Sequence, residues 1–193
     1  MEESLLKIVN GIARMGSFTT RRLVLFLVNM LAAPPNAAPV HAFRCRFMRL
    51  IGFRMGPGSQ LSENLYVYQG RHFEAGSGCR LGSFCRIWDF SPITIGNNLL
   101  ASHGLTLISG THLLDQERTP RPGPITIGNN VWIGINVTIV GPSTIGDNVI
   151  IGANSLVTGD LASDAVYAGS PARFIRKLDY QYPTSPHPGD ERP

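Results

Sequence analysis

Between Ile127 and Leu156 the apolar positions recur every six residues, in the units IGNNVW, IGINVT, IVGPST, IGDNVI and IGANSL. Ile stands first in all five (Ile127, Ile133, Ile139, Ile145 and Ile151), Gly second in four, Asn fourth in four, and position five is always Val or Ser. An amphipathic helix repeats every ~3.6 residues and a half-buried strand every ~2. A strict six fits neither, and is the signature of a parallel β-helix. Three short strands and three turns then make one coil of about 18 residues. The first-position aliphatic points inward and stacks on its equivalent ~4.8 Å along the axis. The small fifth residue shares the narrow interior. Gly at position two and Asn at position four suit tight corners, because both tolerate left-handed backbone.

The same frame runs upstream. AGSGCR (75–80), LGSFCR (81–86) and IWDFSP (87–92) are followed by two extra residues, then IGNNLL (95–100), ASHGLT (101–106) and LISG (107–110). Residues 111–124, THLLDQERTPRPGP, contain no unit, so they must leave the coil surface as a protruding loop. Loops of this length inside regular structure are usually functional or disordered.

Helical patterning precedes the coils. Residues 1–33 predict helix in two pieces broken near Gly16, ended by Pro34 and Pro35. From His41 to Phe53 the spacing of Phe43, Phe47 and Leu50 predicts another helix, with Arg44, Arg46 and Arg49 off the apolar stripe. Two uses compete for it: capping the open end of the solenoid, or lying on an anionic membrane. Arg21-Arg22, the run LVLFLVNMLAA and Ala38 to Ala42 resemble a signal peptide. The run starts late, Asn29 interrupts it, and it falls well short of the ~20 residues that span a bilayer. Peripheral contact through this segment fits better than a span. The expected organisation is a mostly helical segment over 1–58, a β-helix over 59–162 with the loop 111–124, and 163–193 closing with a short C-terminal helix and a tail. The Pro-rich polar stretch after Tyr180 has the composition of a disordered segment. The fold class is an all-β solenoid with an α-helical N-terminal segment.

Composition agrees. The chain is 43% apolar and 16% charged, with 21 Gly and 14 Pro, as a turn-rich solenoid needs. The net charge of +4 gathers in Arg44 to Arg54 and in Arg173 to Lys177. No aromatic-rich basic stripe calls for nucleic acid, whereas small phosphorylated ligands or an anionic membrane suit such clusters. The three cysteines form no CxxC, so neither a disulfide framework nor a zinc site is expected. Cys79 and Cys85 fall at position five of their units and read as core residues in reduced cytosol.

The inserted loop carries Thr111-His112, then Asp115, Glu117 and Arg118. A His beside carboxylates suits a general base, with an unperturbed pKa of ~6.5. An exposed loop histidine of no special role has the same local sequence.

THLLDQER followed by PITIGNNVWIG, then STIGDNVIIGANSLVTGD and AGSPARFIRKL, closely resembles the galactoside, maltose and nodulation-factor acetyltransferases of the hexapeptide family. The resemblance covers about residues 75–178. It implies a left-handed β-helix, a cytoplasmic homotrimer with sites between neighbouring β-helices, and acetyl-CoA as co-substrate with no metal. His112 matches the family's general base. Asp89 sits where related enzymes carry an acceptor-binding aspartate, although a corner aspartate is the other reading. Asp115 matches the loop aspartate, as a loop-ordering or acceptor-facing group. Trp132 matches the tryptophan near the thioester arm, Ala153 a small residue beside the pantetheine, and Thr158 a position along the cofactor's distal half. Arg173 and Arg176 match a terminal basic pair suited to nucleotide phosphates. An interface aromatic and a solvated basic helix face are the alternatives for Trp132 and for the arginines.

Three departures matter. Gly159 stands where many relatives have Lys, Ile135 where many have a small residue, and the sugar-binding asparagine motif is absent near GSFCRI. Free-sugar substrates therefore do not carry over. The basic, apolar N-terminal segment looks more like the polysaccharide-modifying members. The expected reaction is O-acetylation of a bacterial surface-polysaccharide sugar or its precursor. N-acetylation of a nucleotide-linked amino sugar is the alternative. A zinc-holding hexapeptide carbonic anhydrase is disfavoured, because its second and third histidines lie five apart whereas His103 and His112 are nine apart. A non-catalytic scaffold would have no use for a His loop and a VWIG tryptophan.

Overall fold

The computed structural model describes residues 17–30 and 38–179. The expectations for residues 1–16 and for the tail after Tyr180 lie outside the described residues. The chain winds into a left-handed parallel β-helix of about six turns, a triangular prism with three sheets as its faces. The first face holds Arg54–Met55, Phe73–Ala75, Ile93–Ile95, Ile125–Ile127 and Ser143–Ile145. The second holds Gln60–Leu61, Arg80–Leu81, Leu100–Ala101, Trp132–Ile133, Val149–Ile151 and Ala165–Ala168, with Arg173–Lys177 at its edge. The third holds Tyr66–Val67, Arg86–Trp88, Thr106–Ile108, Thr138–Val140 and Leu156–Val157. The solenoid thus starts at Arg54, before the expected boundary at 58, and its last parallel strand lies beyond 162.

The six-residue frame does what its chemistry demands. All five first-position isoleucines are buried, as are Val131, Val137, Ser143, Val149 and Ser155 at position five. Fourth-position Asn130, Asn136, Asn148 and Asn154 adopt left-handed backbone. Asn98, Asn130, Asn148 and Asp164 pass a side-chain hydrogen bond from coil to coil along one corner. The second-position glycines serve a different purpose from the one expected. They are not left-handed; they let consecutive corners stack closely. A Cβ on Gly134 would sit 2.6 Å from the Ala153 nitrogen.

Coil length varies. Equivalent corners lie 20, 32, 18 and 16 residues apart along the stack. The 32-residue step is an ordinary coil plus the loop at 111–124. The 20-residue coils carry two extra residues at the corner between the third and first faces, where Asp89 and Phe90 lie.

Two helices cover the first coil, so capping is the use that the packing shows. Val24 and Val28 of helix Ser17–Met30, and Cys45, Phe47 and Met48 of helix Ala38–Met48, join the core. Asn29, the polar break in the apolar run, donates Nδ2–H to Leu65 O (3.0 Å) and accepts from Leu65 N (2.9 Å). It satisfies a backbone edge that the end of a solenoid leaves open. Arg44 departs from the amphipathic reading. It is fully buried, its Nη1 donates to Leu61 O at 3.0 Å and lies 3.7 Å from Glu63 Oε2, because the second helix is sandwiched rather than surface-lying. No helix among the described residues is long and apolar enough to cross a membrane.

The expected C-terminal helix is replaced by a β-hairpin. Arg173–Lys177 runs antiparallel to Ala165–Ala168. Val166, Tyr167, Phe174 and Ile175 favour strand. Tyr167 and Phe174 meet edge to face at 6.0 Å and 78°.

Cys79 and Cys85 have no exposed surface, as their position-five places predict. Burial pushes the Cys85 thiol from the ordinary 9.0 up to about 12, and the Cys45 thiol up to about 11. A water-soluble disulfide reagent is expected to label no cysteine in the native protein and all three in denaturant. Native labelling of Cys85 would contradict its inward placement. The unfolded chain loses the Cys85 proton near 9 and the folded chain only near 12, so this group's contribution to stability falls as pH rises between those values.

Candidate active site

The loop at 111–124 is a two-stranded ribbon. Gly110–His112 pairs antiparallel with Pro120–Pro122, with His112 opposite Pro120. Leu113 N donates to Thr119 O at 2.8 Å and extends the pairing toward the tip. There the Asp115 carboxylate accepts from Thr119 N at 2.9 Å. The Thr119 side chain and then its backbone N–H hold the Asp115 carboxyl below its usual range. The Asp115 carboxylate is thus tied into the turn at the ribbon's tip. His112 is exposed on the ribbon.

The ribbon is clasped at its feet by two buried serines. Ser91 N donates to Ser109 Oγ (3.0 Å), and Ser91 Oγ donates to Ser109 O while accepting from Gly123 N (3.2 Å). Gly123 N also donates to Ser109 O at 3.0 Å. Gly110, where the ribbon leaves the coil, lies on Phe90: a Cβ there would be 2.7 Å from Phe90 Cδ1. Sequence reasoning missed Phe90, Ser91, Ser109 and Gly110. The two-residue frame shift between residues 88 and 95 was the available signal.

Asp89 lies inside the corner that follows Arg86–Trp88. It is fully buried, and its carboxylate accepts from Gln69 N (2.7 Å), Gly70 N (2.7 Å) and His72 N (3.2 Å). Three backbone donors occupy about three of the four acceptor positions of the carboxylate. It is a corner aspartate, holding the enlarged corner of one coil to that of the coil before.

A second group lies on the second face. Trp132 pairs with Ile150, Ile150 with Val166, and Val166 with Arg176. Register partners project to the same side, so these four side chains form one outward row about 14 Å long across three strand spacings. Trp132 is 46% exposed, as an outward sixth position requires. Arg173, opposite Ala168, and Arg176 are exposed on the edge strand, which replaces the basic helix face considered from sequence. Exposed Ala153 occupies the corner between the second and third faces, stacked on Gly134. Thr158 is apart from this row. It follows Leu156–Val157 at the corner between the third and first faces, the corner from which the ribbon rises two coils earlier.

In a triangular prism that corner is opposite the second face. One protomer therefore brings His112, Asp115 and Thr158 to one edge, and Trp132, Ala153, Arg173 and Arg176 to the other side.

A family profile described as bacterial transferase hexapeptide (six repeats) matches residues 124–159. Galactoside O-acetyltransferase of Escherichia coli K12 is 40% identical over 129 residues, covering 62% of this chain and 64% of that protein. An E. coli K12 protein provisionally named a lipopolysaccharide biosynthesis O-acetyltransferase, WbbJ, is 27% identical over 71% of this chain and 81% of its own. A galactoside acetyltransferase solved in complex with coenzyme A is 31% identical, with a TM-score of 0.71, over 82% of this chain and 78% of that one. The chain belongs to the hexapeptide-repeat acetyltransferase family. Its match spans 64%, 48% and 58% of the length of three curated relatives, under two thirds in each case.

Proposed function

We propose that this protein is an acetyl-CoA-dependent O-acetyltransferase acting on a sugar hydroxyl of a bacterial surface polysaccharide or its precursor. Its sites would form between neighbouring copies of a homotrimer in the cytoplasm. The observation that carries this reading is the separation of the two residue groups. The ribbon edge of one protomer has to meet the second face of its neighbour before His112 and the Trp132 row can share a ligand.

In that seam the His112 imidazole removes the acceptor hydroxyl proton as its oxygen attacks the thioester carbonyl. The tetrahedral intermediate collapses with loss of the coenzyme thiolate, which takes the proton back from the imidazolium. Trp132 supplies a flat wall for the thioester arm, and the Ala153 corner has room for the pantetheine. Arg173 and Arg176 stand about three strands away, suited to phosphates. Tyr68 and Trp88 stack at 4.2 Å on the ribbon's edge and offer a planar apolar surface to a sugar ring. The basic helical cap and the relationship to WbbJ support a polysaccharide rather than a free-sugar acceptor.

The test is thiol release from acetyl-CoA across sugars, nucleotide sugars and oligosaccharides. Release stimulated by a surface-polysaccharide fragment is expected; release with none of the acceptors, or with amines alone, contradicts the reading. If the arginines hold phosphates, replacing both with Gln should weaken coenzyme binding more at low salt than at high salt. An equal loss at every ionic strength would assign them to packing.

A further inference from the structure

We propose that the corner Asp89-Phe90-Ser91 is the seat that aims His112. This inference rests on His112 being the base.

Side chains alternate along a strand, so Gly110 and His112 lie on one face of the ribbon and Thr111 on the other. The Gly110 face is the one turned onto the Phe90 ring, whose Cδ1, Cβ and Cγ lie 2.7, 3.0 and 3.0 Å from the position of a Cβ. His112 thus projects to the Phe90 side, two residues further along, about 7 Å out. Phe90 is itself pinned from both neighbours. On one side the Asp89 carboxylate is held by three backbone N–H groups. On the other Ser91 is clasped to Ser109 and Gly123, the feet of the ribbon.

A ribbon tied only at its feet can pivot. A ring pressed against its first residue removes that freedom, and a histidine at position 112 moves with whatever angle the ribbon takes. Proton abstraction needs heavy atoms within ~2.6–3.2 Å, and a displacement of ~1 Å can cost about 100-fold in rate. Residues with no contact to the reacting atoms can therefore set turnover.

The experiment is a double-mutant cycle read by thiol release, with oligomer size and melting temperature as controls. Phe90→Ala should lower kcat by about 10- to 100-fold and leave the acetyl-CoA KM within about two-fold. Phe90→Leu should restore most of the loss. In a His112→Ala background, Phe90→Ala should cost nothing further, because a positioning residue acts only through the group it positions. Gly110→Ala tests the same contact with Phe90 intact. It should lower kcat, and Gly110→Ala with Phe90→Leu should recover activity. An equal loss from Phe90→Ala in both backgrounds overturns the inference. So does a raised acceptor KM at unchanged kcat, which would make Phe90 an acceptor contact. Should His112→Ala alone keep full turnover, the functional reading fails first and takes this inference with it.

Discussion

Replacing His112 with alanine should lower acetyl transfer by at least about 100-fold, the lower end of what a positioned general base contributes. The size of the loss follows from the ordinary chemistry of a sugar hydroxyl, which is a poor nucleophile until its proton leaves. The specificity of the loss follows from the structure. His112 is exposed on a ribbon outside the core, so its removal leaves no cavity and should not move the melting temperature. Coenzyme affinity should also hold, because the contacts proposed for it, Trp132 and the arginines, lie on the second face. Steady-state thiol release, a binding titration and a thermal melt separate these quantities. An unchanged turnover would remove His112 from the mechanism.

Phe73→Ala should cost about 3–5 kcal/mol of stability, the range for a buried aromatic truncated in a core. The Phe53 and Phe73 rings stack at 4.0 Å and 2°, and both are buried. They form the junction between the helical cap and the first coils. Phe73 lies opposite Ile93 on the next coil, whose backbone is held on both sides by sheet pairing. That coil cannot collapse into the void, which places the substitution toward the upper end. Denaturant unfolding measures the loss. The folded fraction should keep its turnover, since the ribbon leaves the stack two coils away. A loss below about 1 kcal/mol would mean that the junction repacks freely.

The coils were legible because their determinants are local. A first-position Ile, a small fifth residue and a left-handed Asn each act within six residues, and Cys79 and Cys85 followed the same rule into the core. The protrusion of residues 111–124 was legible as a failure of that rule. Its partner was not. Phe90, Ser91 and Ser109 meet across the turn of a coil, and only the two-residue frame shift hints that this corner is larger than those of the clean repeats.

Asp89 is ambiguous in sequence for a related reason. A carboxylate at a corner looks alike whether it faces a ligand or three backbone amides, and the amides are visible only in the fold. Arg44 sits off an apolar stripe and yet is buried, because helix Ala38–Met48 is covered on more than one side. The Tyr167 and Phe174 pairing that makes the C-terminal hairpin depends on the last coil offering an edge. The Trp132 to Arg176 row has the same origin: its members are 18, 16 and 10 residues apart in sequence and become neighbours only through register.

Subunit complementation tests the central claim most directly. A His112→Ala protein and an Arg173→Gln/Arg176→Gln protein, each impaired alone, are unfolded together and refolded as mixed oligomers. If each site takes its base from one copy and its phosphate contacts from the next, mixing should restore activity at about a quarter of the seams. If both groups serve a site within one copy, no mixed seam is intact. Activity would then stay at the average of the two parents, and the account of this protein would be wrong.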